Sequence, residues 1–122
     1  MDMNEVKLEV NSRAFKINYV QLENAVVAFF FEDRKRLGTV AIAMPGSGEI
    51  AAGRSSVLVG AKYMMTTRAL AERLAAKTRK IAVVSLFTEL DETEALRTYA
   101  KVLDKVPVSS KEENTLKIDS ID

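Results

Sequence analysis

Residues 25–31 form an uninterrupted apolar run, Ala25-Val26-Val27-Ala28-Phe29-Phe30-Phe31. The run is too short to cross a membrane, and its β-branched and aromatic residues favour a strand. A strand that is apolar at every position is buried on both faces, so it needs a covering layer on each side. The rest of the chain has sequence for about two helices, which can cover one face of a sheet. We therefore expect the second cover to come from another chain, and the protein to act through surfaces in an assembly.

Composition excludes several classes of function. The 122 residues are enough for one domain, and 48% of them are apolar, so a core can form without disulfides or metal. The chain contains no Cys and no His. Their absence removes thiolate nucleophiles, Cys-based metal centres, Ser-His triads and the commonest general base. We therefore expect no enzymatic activity, no catalytic residue, no cofactor and no metal site.

The sequence also bears on location. No stretch approaches the roughly 20 apolar residues of a membrane span. The N-terminus, Met1-Asp2-Met3-Asn4-Glu5, lacks a basic region followed by an apolar segment. The formal net charge is only +1, which gives no general attraction to acidic polymers. We expect a soluble cytoplasmic protein with no membrane partner.

Five strands are predicted before the first helix. The first two form a hairpin with one solvent-facing side, because polar residues separate the apolar ones: Val6, Leu8 and Val10, then Phe15, Ile17 and Tyr19. The buried run follows, and after the charged turn 32–36 comes a second apolar strand over 37–44. We expect these two strands to be neighbours at the centre of the sheet. Pro45-Gly46-Ser47-Gly48 breaks the pattern before a fifth strand at 55–60.

The remaining elements are two helices with a strand between them. The period becomes helical from Ala61 and predicts a first helix that runs to about Arg79, with Met64-Met65 interpreted as core filling. Residues 81–87 are apolar and predict a strand inside the sheet. Asp91 followed by Glu94 resembles a capping box and predicts the start of a second helix. Its apolar stripe is Leu96, Tyr99, Leu103 and Val106, and Pro107 is expected to end it.

These elements predict one α+β domain over residues 1–106, followed by a tail over 107–122 that is mobile or pairs as an edge strand in a complex. The sheet is expected to have six strands, to be largely antiparallel, and to carry both helices on one face. The other face then forms a dimer interface, to which we assign Val27, Phe29, Phe31, Val40 and Ile42. Alternation leaves the reverse choice open for the apolar run, with Val26, Ala28 and Phe30 on that face.

One glycine pattern resembles a nucleotide-binding fingerprint. Gly46-Ser47-Gly48-Glu49-Ile50-Ala51 fits the letters G-x-G-x-x-A and follows a strand. The fingerprint also needs a helix whose N-terminus faces the pyrophosphate, whereas here another strand follows within a few residues. We interpret the segment as a flexible connection that can order against a partner.

The first helix is the most basic part of the chain. Between Lys62 and Lys80 there are six Lys and Arg residues and a single acid, Glu72. Such a face serves for protein docking or solvation, and the alternative function is nucleic-acid binding through this helix. We assign partner binding to charged residues of the turn, the loop and the helix: Arg34, Lys35, Arg36, Glu49, Arg73, Lys77 and Lys80.

Acidic residues gather near predicted strand ends, at Glu32, Asp33, Glu89, Asp91 and Glu92. Paired carboxylates can perform acid–base or metal chemistry. These residues lie in turns and beside a helix start, where capping and compensation of the helix dipole explain them more simply. We therefore assign them structural roles.

The order and lengths of these elements resemble the proteasome assembly chaperone family, in particular proteasome assembly chaperone 3 and its archaeal homologues. The resemblance covers about Val6 to Val106. It rests on the apolar run, the turn into Leu37-Gly38-Thr39-Val40, the step Val57-Leu58-Val59-Gly60, the strand from Ile81 and the helix from Glu94 to Leu103. It implies dimers of α+β subunits, as homodimers or with a paralogous subunit, that bind α-type proteasome subunits and assist α-ring assembly without enzymatic activity.

The C-terminus departs from one pattern of that family. Some archaeal members carry a hydrophobic-Tyr-X tail that docks into α-ring pockets, whereas this chain ends Ser120-Ile121-Asp122. Contacts with the ring would then come from the folded body or from a tail that acts differently. A regulatory scaffold subunit of profilin-like or roadblock-like shape shares this strand-rich, helix-flanked architecture and is a further alternative.

Overall fold

The computed structural model describes residues 2–46, 54–60 and 62–107. They form an α+β fold with a mostly antiparallel sheet of six strands and two helices, as the sequence predicts. The elements in chain order are β1 (Asn4–Val10), β2 (Arg13–Gln21), β3 (Ala25–Phe31), β4 (Thr39–Ala43), β5 (Ser55–Val59), α1 (Met64–Thr78), β6 (Ile81–Leu86) and α2 (Glu92–Leu103).

The sheet order is β1-β2-β3-β6-β4-β5. The expectation that β3 and β4 are neighbours is wrong, because β6 lies between them, parallel to β3 and antiparallel to β4. All three strands are apolar on both faces, so each belongs in the interior of the sheet. The apolar pattern of a strand indicates that it is buried, but not which strands lie beside it in the sheet. Here the crossover through α1 places β6 at the centre, between β3 and β4.

Both helices cover the same face of the sheet. The core unites one alternating set of strand residues with apolar residues of α1 and α2. Val26, Ala28 and Phe30 belong to this set and are at most 1% exposed. Tyr99 of α2 packs at 5.7 Å between ring centroids against both Phe15 and Phe30. Of the two alternating sets of β3 residues, the set of Val26, Ala28 and Phe30 therefore faces the helices.

The first helix departs from its predicted start and packing. It begins at Met64, after Tyr63 in the left-handed region at φ 62°, and ends at Thr78. Met64 and Met65 are 44% and 78% exposed, so their interpretation as core filling is wrong. Successive residues of a helix are rotated by about 100° around its axis. The first residues of this helix that face the sheet are therefore Thr66 and Thr67, which are buried.

The second helix begins as its sequence predicts. The side chain of Asp91 accepts a hydrogen bond from the backbone N–H of Glu94 at 2.8 Å. The helix ends at Leu103, four positions before Pro107, so proline does not terminate it. Tyr99, Leu103 and Val106 are buried as expected, whereas Leu96 is 38% exposed.

Candidate protein-interaction surface

The helix-free face of the sheet is apolar at its centre. It is formed by the strand residues that alternate with the core set. One row across β3, β6 and β4 is Val27, Val83 and Ile42, and the next is Phe29, Ser85 and Val40. Within the described residues, no helix packs over these rows. We call these two rows the central patch.

The five predicted interface residues all belong to this side of the sheet. Val27, Phe29, Val40 and Ile42 are half-buried. Phe31 is only 5% exposed and lies outside the helix-side core, under the amino group of Lys35 at 5.9 Å from the ring centroid. The structure thus brings the five together on one face, and their role in a dimer stays a prediction.

Polar groups in the central patch and next to it are satisfied by neighbours. The hydroxyl of Ser85 accepts a hydrogen bond from the backbone N–H of Gly38 at 2.9 Å. Asn18 of β2, beside Phe29, donates to Glu5 Oε2 at 2.9 Å. Buried polar groups that already have partners impose little desolvation penalty when a second layer covers them. The patch is therefore compatible with burial against another apolar surface.

Charged residues border the central patch on the β1 side. Glu5, Lys7 and Glu9 alternate along β1 and are exposed, and Lys16 on β2 pairs in register with Lys7. This end of the sheet favours water, while the rows on β3, β6 and β4 favour an apolar partner. The apolar part of this face therefore lies at the centre of the sheet.

The loop between β3 and β4 is a basic border at another edge of this face. Lys35 lies over Phe31, and the guanidinium carbon of Arg36 lies 5.3 Å from the ring centroid of Phe87. Cations over aromatic faces are attracted by the ring quadrupole. Arg34 is exposed, and Leu37 is 68% exposed. Three of the residues assigned to partner binding are therefore displayed on one loop beside an apolar tip.

Both ends of that loop are fixed. At Gly38, an added Cβ would lie 2.0 Å from the carbonyl oxygen of Leu86, so only glycine fits against β6. At the other end, Glu32 accepts hydrogen bonds from the Arg13 guanidinium, from the Thr88 hydroxyl at 2.7 Å and from the backbone N–H of Glu89 at 3.0 Å. The loop projects its cations from two rigid supports.

The electrostatics of Glu32 follow from these contacts. Burial acts to raise the pKa of its carboxyl, but the hydrogen bonds from Glu89, Thr88 and Arg13, together with the charge of Arg13, outweigh it and lower that pKa. The same pairing raises the pKa of Arg13. The structural role predicted for Glu32 is thus to bind Arg13, Thr88 and the backbone of Glu89. No local sequence pattern indicates that Arg13, 19 positions away, is a partner.

The other acidic residues do not converge on a ligand site. Asp91 caps α2, and Glu92 accepts from the Thr66 hydroxyl through its backbone and side-chain oxygens at 3.3 and 3.4 Å. Among residues 2–46, 54–60 and 62–107, no group of three or more Asp, Glu, His or Cys residues is arranged to hold a metal ion.

Three basic residues of the helical region assigned to partner binding make contacts within the chain. Lys77 donates to the carbonyl oxygens of Leu103 and Asp104 at 3.1 and 2.7 Å, and Arg73 pairs with Asp104 at 3.3 Å. Lys80 donates to Gln21 and to the carbonyl of Leu22. Burial lowers the pKa of Lys77. These contacts join α1 to the end of α2 and to the β2–β3 turn.

Two sequence assignments fall outside the described residues. Glu49 and most of the glycine pattern lie in the range 47–53, and the predicted tail lies largely in 108–122. In the part of the chain that is described, no helix is both long enough and apolar enough to cross a membrane.

Comparison with known proteins supports the fold. No protein-family model matches the sequence, and no curated protein matches it. Among solved structures, the chain is similar to a chain from the crystal structure of a novel chaperone complex for yeast 20S proteasome assembly. The TM-score is 0.57 at 9% sequence identity, over 84% of this chain and 99% of that one. The likeness extends over nearly the whole architecture described above, and at this identity it establishes a shared fold.

Proposed function

We propose that this protein is a non-enzymatic proteasome assembly chaperone that dimerises through the helix-free face of its sheet and binds α-type proteasome subunits. The observation that carries the proposal is the central patch, an apolar surface on a fold shared with a chain of a yeast proteasome assembly chaperone complex. A chaperone of this kind works through interfaces, so it needs no catalytic group. The proposal includes a cytoplasmic location.

Burial of the apolar central patch would favour association. Two sheets that pack face to face lie about 10 Å apart and interleave side chains from both inner faces. Burial of a few hundred Å² of apolar surface per subunit, at about 25 cal/mol per Å², contributes several kcal/mol before association costs are subtracted. The proposed interface pairs two copies of the central patch, or one copy and the equivalent face of a paralogous subunit.

The β3–β4 loop is the best placed element for recognition of an α-type subunit. Arg34, Lys35 and Arg36 are exposed on it, and Leu37 adds an apolar tip. Interface charges of this kind steer association and select partners with complementary potential. Arg73, Lys77 and Lys80 are secondary candidates, because contacts within the chain already hold their charged groups.

Affinity capture with defined controls tests the proposal. The tagged chain would be used as bait in extract of its source cells, with nuclease added and at moderate salt, and bound proteins identified by mass spectrometry. We expect enrichment of α-type proteasome subunits without mature proteolytic subunits. Reversing the three loop cations to Glu should abolish capture, whereas the control Arg97→Glu, at an exposed position on α2, should retain it. A different stable partner in place of α subunits would overturn the proposal.

A salt titration separates the proposal from nucleic-acid binding. Contacts to phosphates release counterions, so binding of nucleic acid by α1 would weaken steeply as salt rises. We expect no saturable binding of single- or double-stranded nucleic acid even at low salt, because Lys77 and Lys80 already bond to carbonyl groups of this chain. Saturable, salt-sensitive binding that is lost in Arg68→Glu would favour the nucleic-acid function instead.

A further inference from the structure

The outer edge of β1 is a regular strand edge. Among the described strands, β1 pairs only with β2, and the register of that pair runs without interruption along the whole of β1. At the opposite edge of the sheet, the pairing of β5 with β4 shifts register between Val40 and Ala41. Such an irregularity makes an edge a poor template for another strand, whereas a regular edge can accept one.

The side chains of β1 form two rows of different character. One row lies on the helix side and is apolar: Val6, Leu8 and Val10. The other row lies on the helix-free side, is exposed, and alternates in the sign of its charge: Glu5, Lys7 and Glu9. A strand that complements this edge therefore places apolar residues beside the first row and opposite charges beside the second.

A second copy of β1 meets both requirements in one register. In an antiparallel pair related by a two-fold axis, residue i faces residue j of the other copy, and j faces i. When Leu8 lies on the axis it faces its own counterpart, and Val6 faces Val10. The same register places Lys7 of each copy beside Glu9 of the other. Every pair over residues 6–10 is then either apolar with apolar or opposite in charge.

The neighbouring registers are less favourable. If the axis passes through Lys7, the two lysines face each other and glutamate faces glutamate, so all charges of the row meet like charges. If it passes through Val6, opposite charges meet again, but Leu8 faces the polar Asn4. Registers in between place the charged row of one copy beside the apolar row of the other. The pattern of β1 thus favours the register centred on Leu8.

Lys105 covers a backbone acceptor of this edge strand. Its amino group donates to the carbonyl oxygen of Lys7 at 2.9 Å, although the two residues are 98 positions apart. A lysine beside an edge strand opposes pairing with another chain, because an added strand has to bury its charge or displace it. Lys7 lies within the register centred on Leu8. A second copy of β1 therefore has to move the amino group of Lys105 aside.

We propose that the β1 edge is a site of self-association that takes β1 of a second copy in the antiparallel register centred on Leu8. Lys105 holds this site closed in the unmodified chain at tens of micromolar, and its removal opens the site. The inference goes beyond the proposed function, since the contact uses an edge of the sheet and does not involve the central patch.

The absence of Cys allows a direct test by disulfide formation between copies. Opposed residues on antiparallel strands lie about 4.5–5.5 Å apart at Cα, within the range that a disulfide needs. Leu8→Cys with Lys105→Ala should form disulfide-linked dimers at tens of micromolar, read by intact mass. They should form at least tenfold faster than in Val6→Cys with Lys105→Ala, because the two copies of position 6 lie four residues, about 13 Å, apart along the strands.

The closing role of Lys105 has a matched control. Leu8→Cys alone should link at least tenfold more slowly than Leu8→Cys with Lys105→Ala. Replacement of another exposed lysine, Lys101→Ala on α2, should leave the rate of Leu8→Cys unchanged. Equal rates with and without Lys105 would show that Lys105 does not close the edge.

An exchange of charges tests the pairing of the second row. In Leu8→Cys with Lys105→Ala, the further change Lys7→Glu places Glu beside Glu9 of the other copy and should slow linking at least threefold. Addition of Glu9→Lys restores opposite charges and should recover the rate. Failure of the exchange to recover the rate would contradict the pairing of position 7 with position 9.

The remaining outcomes of the disulfide experiment would also overturn the proposal. Equal rates at positions 6 and 8 would show random collision without strand pairing, and a faster reaction at position 6 would contradict the register. Absence of linked dimers in every variant would show that a second copy does not use this edge. Phe29→Asp, on the helix-free face, should leave the rate of Leu8→Cys with Lys105→Ala unchanged. A strong decrease would mean that the link depends on the central patch instead.

Discussion

The two faces of the sheet are built from the same strands but have different environments. On β3, Phe30 faces the helices and is fully buried, whereas its neighbour Phe29 faces the helix-free side and stays half-buried. The helices provide one cover, and the chain has no remaining helix among its described residues to provide another. Strands that are apolar in both alternating sets, with helices on one side only, predict that the other side is completed by association.

The largest expected effect comes from truncating the helix-side ring. Phe30→Ala removes a side chain that packs on Tyr99, and loss of a buried Phe typically costs about 3–5 kcal/mol in the free energy of unfolding. Phe29→Ala should cost less than about 1.5 kcal/mol when the chain is monomeric, because its ring is already partly in water. Denaturant titration at low protein concentration measures both.

Equal losses in these two variants would contradict the difference between the two faces. They would mean that the helix-free face is as tightly packed within one chain as the helix side. A loss for Phe29→Ala that grows with protein concentration would instead support that difference, since stabilisation by association depends on concentration.

The next effect concerns the contact that joins the two covering helices. Lys77→Ala leaves the carbonyls of Leu103 and Asp104 without the donor that now bonds to both, and we expect a loss of about 1–2 kcal/mol. Arg73→Ala is the matched control on the same helix. Its exposed ion pair with Asp104 should be worth less than about 1 kcal/mol. If thermal unfolding shows the control to be the more damaging variant, the role given to Lys77 is wrong.

Loss of a helix cap should have a smaller effect on the same layer. Asp91→Ala removes the acceptor for the N–H of Glu94, which typically costs about 1 kcal/mol. Thr93→Ala, at an exposed position in the first turn, should change stability by less than about 0.5 kcal/mol. Chemical denaturation of the two variants gives the difference, and no difference would contradict the capping role.

The smallest expected change is one of pH dependence, at the end of the sheet where Glu32 ties β3 to Arg13 and Thr88. Its pKa is lower in the folded than in the unfolded state. Stability from this group is therefore present above the ordinary pKa of about 4.3 and is lost as pH falls through the lower folded value. Glu32→Gln should flatten the stability curve below about pH 4.5, whereas the exposed control Glu23→Gln should not. Parallel curves for the unmodified chain and Glu32→Gln would contradict the assignment.

Local patterns in the sequence predict most of the fold. The alternation of Phe15, Ile17 and Tyr19 identifies the face of β2 that meets the core, and Asp91 marks the start of α2. The apolar runs identify three interior strands. These features depend on neighbours in sequence, so periodicity and capping rules are sufficient to find them.

Contacts between distant residues are not predictable in this way. The insertion of β6 between β3 and β4 depends on a crossover through α1, and the apolar runs are too similar to rank. Glu32 and Arg13, 19 positions apart, meet only because β2 and β3 pair. Lys77 is one of several cations in its helix, and its use against α2 follows from helix packing.

Dimerisation through the helix-free face is tested by the mass in solution of the unmodified chain and of two Asp variants at neighbouring residues. By sedimentation at tens of micromolar, we expect the unmodified chain to be a dimer and Phe29→Asp to be a folded monomer. Phe30→Asp should lose the fold, because it buries a charge against Tyr99. A monomeric unmodified chain, or a Phe29→Asp variant that remains a dimer, would contradict dimerisation through the helix-free face.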